Sequence, residues 1–545
     1  MKMKMKNLIF TVGLGLVMSV PAWAQVPAKR DTIKARVVEV EQEYTPITSS
    51  KNRVVMRHKK QTVMNSGKRN AYDTSISKST FVTKGKMPSF RANQVGPNGT
   101  AMNSLRLGAG NNGNVLTIGT FSSQLNRRDQ LDGFVNLIGE NWDTRDYRTK
   151  VGMNYLHHDN DIDLYLGGQI SNRVFNYIVN PRTIDGTNTR PNQQYSGSQW
   201  VIGAKSHDEG WDVGFNNQFR LSTFKEGHAL LGGIRSSETR LQLKGSVFAD
   251  IEEESQIQVN YDANNFQYKE NQTNYTNISL NPFYQYKNDE WLIHLGATMD
   301  MSFNYGTFYR VAPDVLAEYR INNDFVLYSQ VTGGKQINDY RTLLSINPYT
   351  SLSKRYEDSY EQLNTAVGIK GSPAIGLWLH AAMGCKMVTD DLLQSGYMAY
   401  STITPTMRVD NTQRVYAKFE GSYETPTYGN FHWAATLYKN HADHSSSQNM
   451  MEKITVKTGI NAYLSNRLTM KMQYEYGVKD YQKSTKANDI NTKDINDLTF
   501  GLAFQFLPNV SIWGEGRNLF DCSYTRYTSH IEEGVNVLGG ITIKF

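Results

Sequence analysis

Residues 534–545, GVNVLGGITIKF, constrain the fold more than any other stretch of this chain. Val535, Val537, Ile541, Ile543 and Phe545 alternate with Asn536, Gly540, Thr542 and Lys544. Successive side chains of a strand point to opposite faces, so one face here is apolar and the other small or polar. Such a strand fits a soluble sheet lying on a core. It fits equally a membrane barrel with lipid outside and water inside.

The rest of the chain separates these two. Leu498, Phe500, Leu502, Phe504 and Phe506 interleave with Thr499, Gly501, Ala503 and Gln505, and Trp291, Ile293, Leu295, Ala297 and Met299 with His294, Gly296, Thr298 and Asp300. The same period of two recurs along the body, with little helical periodicity to compete. At roughly 20 residues per strand and connection, residues 104–545 hold about 22 strands (range about 18–24). A soluble sheet of that size would split into domains, yet no Pro/Gly-rich linker interrupts the run. The expected fold is therefore all-β, a single transmembrane antiparallel barrel. Ser465-Asn466 and Pro508-Asn509 read as tight turns, and 172–199, 222–237, 440–452, 479–494 and 518–533 as long polar loops. This alternation of short and long connections fails between about 335 and 412, where 387–397 is too long for a short-side turn.

The amino end sets the compartment. Lys2, Lys4 and Lys6 precede an apolar run from Leu8 to Val20, and Ala22-Trp23-Ala24 offers a small-x-small cleavage site. That is the pattern of a secretory signal peptide over 1–24, with too few apolar residues for a spanning helix. Residues 25–100 carry 15 Lys/Arg against 5 Asp/Glu. Removing these and the three signal lysines leaves 58 − 15 − 3 = 40 basic and 51 − 5 = 46 acidic residues in the body. The basic character thus belongs to segment 25–103, which has too few apolar clusters to bury a core and is expected to be largely unstructured and periplasmic. In an exported chain a basic segment suits an anionic lipid surface or a protein partner better than nucleic acid. Cys385 falls in an apolar strand phase and Cys522 in a late loop, so no bridge is expected.

Asn518-Leu519-Phe520-Asp521, followed by Tyr524, is similar to the N-L-F-D-x-x-Y signature near the penultimate strand of TonB-dependent receptors, and GVNVLGGITIKF resembles their closing strand. A Gly-rich first strand (105–114), Tyr155-Leu156-His157, Asn347-Pro348-Tyr349 and Gly368-Ile369-Lys370-Gly371 follow in the order found in shorter, Bacteroidetes-type relatives. The resemblance implies an outer-membrane barrel of about 22 strands, related to receptors that import scarce nutrients. It also implies delivery by the barrel-assembly machinery, which characteristically receives a terminal strand ending in an aromatic residue such as Phe545. One departure matters: segment 25–103 is shorter than the plug of a full receptor, so a barrel without a full plug is expected. Val37, Val38, Glu39 and Val40 faintly resemble a TonB-box peptide, which pairs with TonB as an added strand.

Chemistry-bearing motifs are sparse. His157, His158, Asp159, Asp161 and Asp163 mimic the start of a calcium loop, but Leu164 stands where the turn needs Gly. His441, Asp443 and His444 sit in a polar loop. No catalytic, cofactor or metal residues are assigned and no enzyme is expected, an outer-membrane hydrolase being the remote alternative. Two classes stay open. One is a transport or ligand-binding barrel for an unknown ligand, with TonB or a surface lipoprotein as partner. The other is a structural or assembly barrel in an outer-membrane complex.

Overall fold

The computed structural model describes residues 103–545 apart from 142–144, 178–191, 207–212, 229–234, 253, 270–271, 395–406, 426, 444–450, 481–492, 528–529 and 533. The expected signal peptide and nearly all of the basic segment, Val37 to Val40 included, lie outside the described residues.

Among the described residues, 22 strands form one antiparallel sheet in which each strand pairs with its neighbours along the chain. The sheet closes on itself, because the last strand, Asn536–Lys544, pairs with both Val510–Arg517 and the first strand, Ser104–Gly110. Closure leaves no free edge, which is what lets a sheet sit in hydrocarbon with every backbone group paired. Both ends of the described chain lie at one end of the barrel, where the Phe545 N–H donates to the Asn103 carbonyl at 3.0 Å. Connections at this terminal end are two to six residues long; those at the far end reach 22 residues at 337–358.

Alternation is expressed as inside and outside. On strand Ile495–Leu507, Leu502, Phe504 and Phe506 are exposed on the outer surface, while Thr499 is buried facing the lumen. Trp291, Leu295, Val311, Leu327, Val367, Met383, Val415 and Ile541 extend this apolar outer surface around the wall. Charged side chains face inward and pair there, as in Lys370–Glu318 at 2.6 Å and Lys471–Glu515 at 3.4 Å.

The parity problem near residue 390 has a local cause. The chain turns at the terminal end over 375–376, between Ser359–Ala374 and Leu377–Gln394. Asp390, with φ 54°, sits in a β-bulge where the register slips between Val388 and Asp391. The stretch 387–394 therefore belongs to no turn; the bulge adds backbone to a strand that runs on to Gln394. The loop expected over 172–199 is also shorter, since strands cover Ile162–Asn176 and Asn192–Ser206. Cys385 lies in a strand and Cys522 in the connection after Arg517, both as free thiols.

Candidate functional site: a strapped lumen

Twenty-two strands about 4.8 Å apart and tilted about 40° enclose a circle roughly 40 Å across. Wall side chains cannot fill that width, so whatever crosses the lumen decides what the barrel can do. Here the connection 337–358 folds inward at the far end.

Its path follows from its sequence. Asp339 caps a short helix, α1 (Tyr340–Ile346), by accepting from the Thr342 N–H at 2.8 Å. Asn347 ends it in an extended conformation, as a residue preceding proline favours. From there the strap reaches strand Ile162–Asn176, eight strands round the wall from the strand that precedes it. Arg173 donates to the Pro348 carbonyl at 2.8 Å while pairing with Asp146. Arg341 of the strap donates to the carbonyls of Ser198 and Thr223, and Arg240 pairs with Asp339 at 3.0 Å. Gln394 donates to the Ile346 carbonyl at 2.9 Å, and Tyr356 to that of Met407 at 3.3 Å.

Around these bonds Tyr340, Leu343, Tyr349, Leu352 and Tyr356 pack with wall residues Phe175, Tyr195, Phe224, Phe266 and Tyr268 into one buried cluster. Edge-to-face pairs such as Phe175–Tyr349, with centroids 5.7 Å apart, give it defined geometry. A second inward element meets it. The hairpin of Tyr524–Tyr527 and His530–Glu532 is held to the wall by Arg526–Glu475 at 3.0 Å, and His530 stacks on Tyr349 at 4.6 Å.

On the terminal side of the strap the wall lines a half-open cavity of about 520 Å³. Asn260, Asn277, Asn281, Asp262, Asp300 and Lys335 characterise its lining, in which amide, hydroxyl and charged groups predominate over apolar atoms. Such a surface can exchange hydrogen bonds with a polar solute; it offers no apolar pocket.

At the strap's end, burial raises the pKa of the Asp358 carboxyl; the Asn338 N–H, Lys335, the Tyr275 hydroxyl and Arg355 oppose this without cancelling it. A carboxyl that binds its proton more tightly docked than free favours docking once protonated, and that contribution is lost as pH rises through the raised value. Hydrogen exchange across 350–358, corrected for intrinsic rates, should therefore show more protection at a pH just below the ordinary carboxylate range, about 3.5, than at about pH 8. Equal or lower protection in acid would contradict this assignment.

The structure also locates the motif residues. Asn518 and Asp521 adopt left-handed backbone conformations, with φ 49° and 51°. Buried Asn518 ties off the last far-end connection, its side chain donating to the carbonyls of Cys522 and Gly534 at 2.9 and 3.1 Å and accepting from the Cys522 N–H. Leu519 and Phe520 are exposed, and the Tyr524 hydroxyl sits between the carboxylates of Asp497 and Glu532, 3.0 and 2.8 Å away, with one proton to share between them. The motif thus shapes a corner from which the hairpin turns inward. The two other clusters do not converge. His157 pairs with Asp129, His158 with Asp163 and Asp159 with Arg128 at a terminal-end turn; His441 lies 3.9 Å from Asp443, and His444 is outside the described residues. Among the described residues no group of three or more His, Cys, Asp or Glu is arranged to hold a metal.

Solved structures share this architecture. The ferric-catecholate import receptor Fiu from E. coli matches with a TM-score of 0.61 at 11% identity, over 82% of this chain and 82% of its own. The iron transporter FrpB from Neisseria meningitidis matches with a TM-score of 0.63 at 10% identity, over 82% and 81%. This chain has the fold of receptor barrels. The ferripyoverdine receptor of Pseudomonas aeruginosa follows at 0.61 and 12%, over 82% of this chain and 72% of its own. All three are of the kind the Asn518–Asp521 motif and closing strand anticipate. Neither a family model nor a curated protein matches this sequence.

Proposed function

We propose that this protein is an outer-membrane receptor-like barrel, which takes a ligand at its far, external end and controls passage through a polar lumen. One observation carries the reading: a closed 22-strand wall, apolar outside and charged inside, with its long connections at the end opposite the termini. That polarity suits a barrel whose short turns face the periplasm. In the same reading 1–24 is removed on export and the basic segment 25–103 lies in the periplasm. That segment forms no full plug in this reading, and elements of the barrel itself contribute to closure. Val37 to Val40 is the candidate strand for TonB. The reading assigns no catalysis, in keeping with neighbours described as import receptors and transporters.

Uptake and pull-down together test it. Cells lacking the gene should lose accumulation of one class of scarce solute and regain it with the full chain. A stable stoichiometric complex with other envelope proteins, with no solute whose uptake changes, would replace this reading with an assembly role.

A further inference from the structure

The first and last residues of the strap's flanking strands, Gln336 and Ser359, are direct partners across the ladder. All 22 residues of 337–358 therefore leave the wall and return to it at one place. Such a loop can swing away without breaking any of the strand pairing that keeps the barrel closed. Its fastenings are of a matching kind. Around the rim they are side-chain contacts and not a continuous ladder: Arg173 on Pro348 and Gln394 on Ile346, the Arg240–Asp339 ion pair, and the strap's rings in the buried aromatic cluster.

One fastening differs from the others. Arg355, near the strap's end, places its guanidinium 3.7, 4.2 and 4.8 Å from the ring centres of Tyr305, Tyr275 and Tyr268, and also donates to the Thr273 carbonyl. The three rings come from three separate places on the far-end rim: one strand end, the next strand's start, and the connection 304–308. A cation over an aromatic face gains electrostatic attraction that strengthens as water is excluded, and here three faces share one cation. Lys354, the preceding residue, is exposed, and its ammonium lies over the ring of Tyr356 within the strap.

We infer that the strap 337–358 is a hinged gate over the lumen, latched shut by Arg355 in the cage of Tyr268, Tyr275 and Tyr305. With the latch made, the strap and the 524–532 hairpin meet through Tyr349, Tyr527 and His530 and cover the cavity from the far side. With it broken, the strap turns on its paired ends and the cavity opens outward. This inference needs neither a ligand nor TonB; it takes from the proposed function only that the far end faces outward, and the labelling rate of the strap deletion below reports that placement separately from the latch.

Access of a bulky reagent to the cavity tests it. The full chain, with Cys522→Ser to remove the far-end thiol, carries Ser279→Cys as a probe in the cavity wall. A membrane-impermeant, polymer-linked maleimide is then added outside intact cells. Arg355→Ala should raise the labelling rate by about tenfold or more, as the open population grows. Lys354→Ala should leave the rate unchanged. Replacing 341–356 by a short Gly-Ser link should give the fastest labelling, and heat-modifiable mobility shows that each variant holds a closed barrel. Equal rates in all four proteins would overturn the gate. Fast labelling after the deletion with no change in Arg355→Ala would overturn the latch.

Discussion

Leu502→Arg should cost about 2–4 kcal/mol of barrel stability, whereas Gln505→Arg on the same strand should be nearly neutral. Leu502, Phe504 and Phe506 are 42%, 44% and 60% exposed on the outer surface, a pattern that would be a liability in water and is what hydrocarbon requires. An arginine at position 502 must leave water for lipid or drag water and headgroups inward. At position 505 the side chain starts beside the Pro508 carbonyl at the terminal rim of a wet lumen, and the guanidinium stays hydrated. Denaturant titration of both variants refolded into lipid vesicles measures the difference. Equal penalties would mean that the two faces have been assigned wrongly.

Gly540→Val should prevent closure altogether. A Cβ at Gly540 would lie 1.9 Å from the Leu107 carbonyl oxygen and 2.7 Å from the Gly108 Cα, both backbone atoms of the first strand. The two strands would have to part by roughly 1 Å or more to relieve the overlap. Elsewhere on the wall a displaced strand can borrow from long neighbours. The seam has only the seven register pairs from Ser104–Lys544 to Gly110–Leu538, so there is little pairing over which to spread the strain. The matched control is Gly514→Ala, one strand away, where an added Cβ meets nothing nearer than 3.9 Å. The expected outcome is loss of the folded, heat-modifiable species for Gly540→Val and its retention for Gly514→Ala. Normal amounts of folded Gly540→Val would refute the tight seam.

What could be read from the residues was the wall; what could not was its contents. Alternation is a local signal, and in 495–507 and 536–544 it assigns outside and inside correctly because lipid and water each select one phase. The closing strand shows as such because its small inward residues, Gly540 and Thr542, have no other evident use. The strap left no comparable signal. Its helix is a single seven-residue segment, and two of the partners that hold it, Arg173 on Pro348 and Ser198 on Arg341, lie more than 140 residues away in sequence. Only Asp339 with Thr342, as a helix cap, and Asn347-Pro348, as its stop, carry a local signal. The segment 387–397 misled for the opposite reason, since the bulge at Asp390 inserts polar residues into a strand just as a turn does. The Asn518 motif was recognisable by resemblance, but its physical use, a left-handed corner that sends a hairpin into the lumen, needed the fold.

Lipid must solvate the outer face of this wall for any of this to hold. Spin labels placed one at a time at Leu502, Phe504 and Ile541, and at Thr499, Gln505 and Thr542, in the full chain reconstituted into vesicles, test this most directly. The outer three should relax with oxygen dissolved in the bilayer and ignore a water-soluble nickel chelate, while the other three respond to the chelate. Strong chelate contact at all six positions would contradict the account.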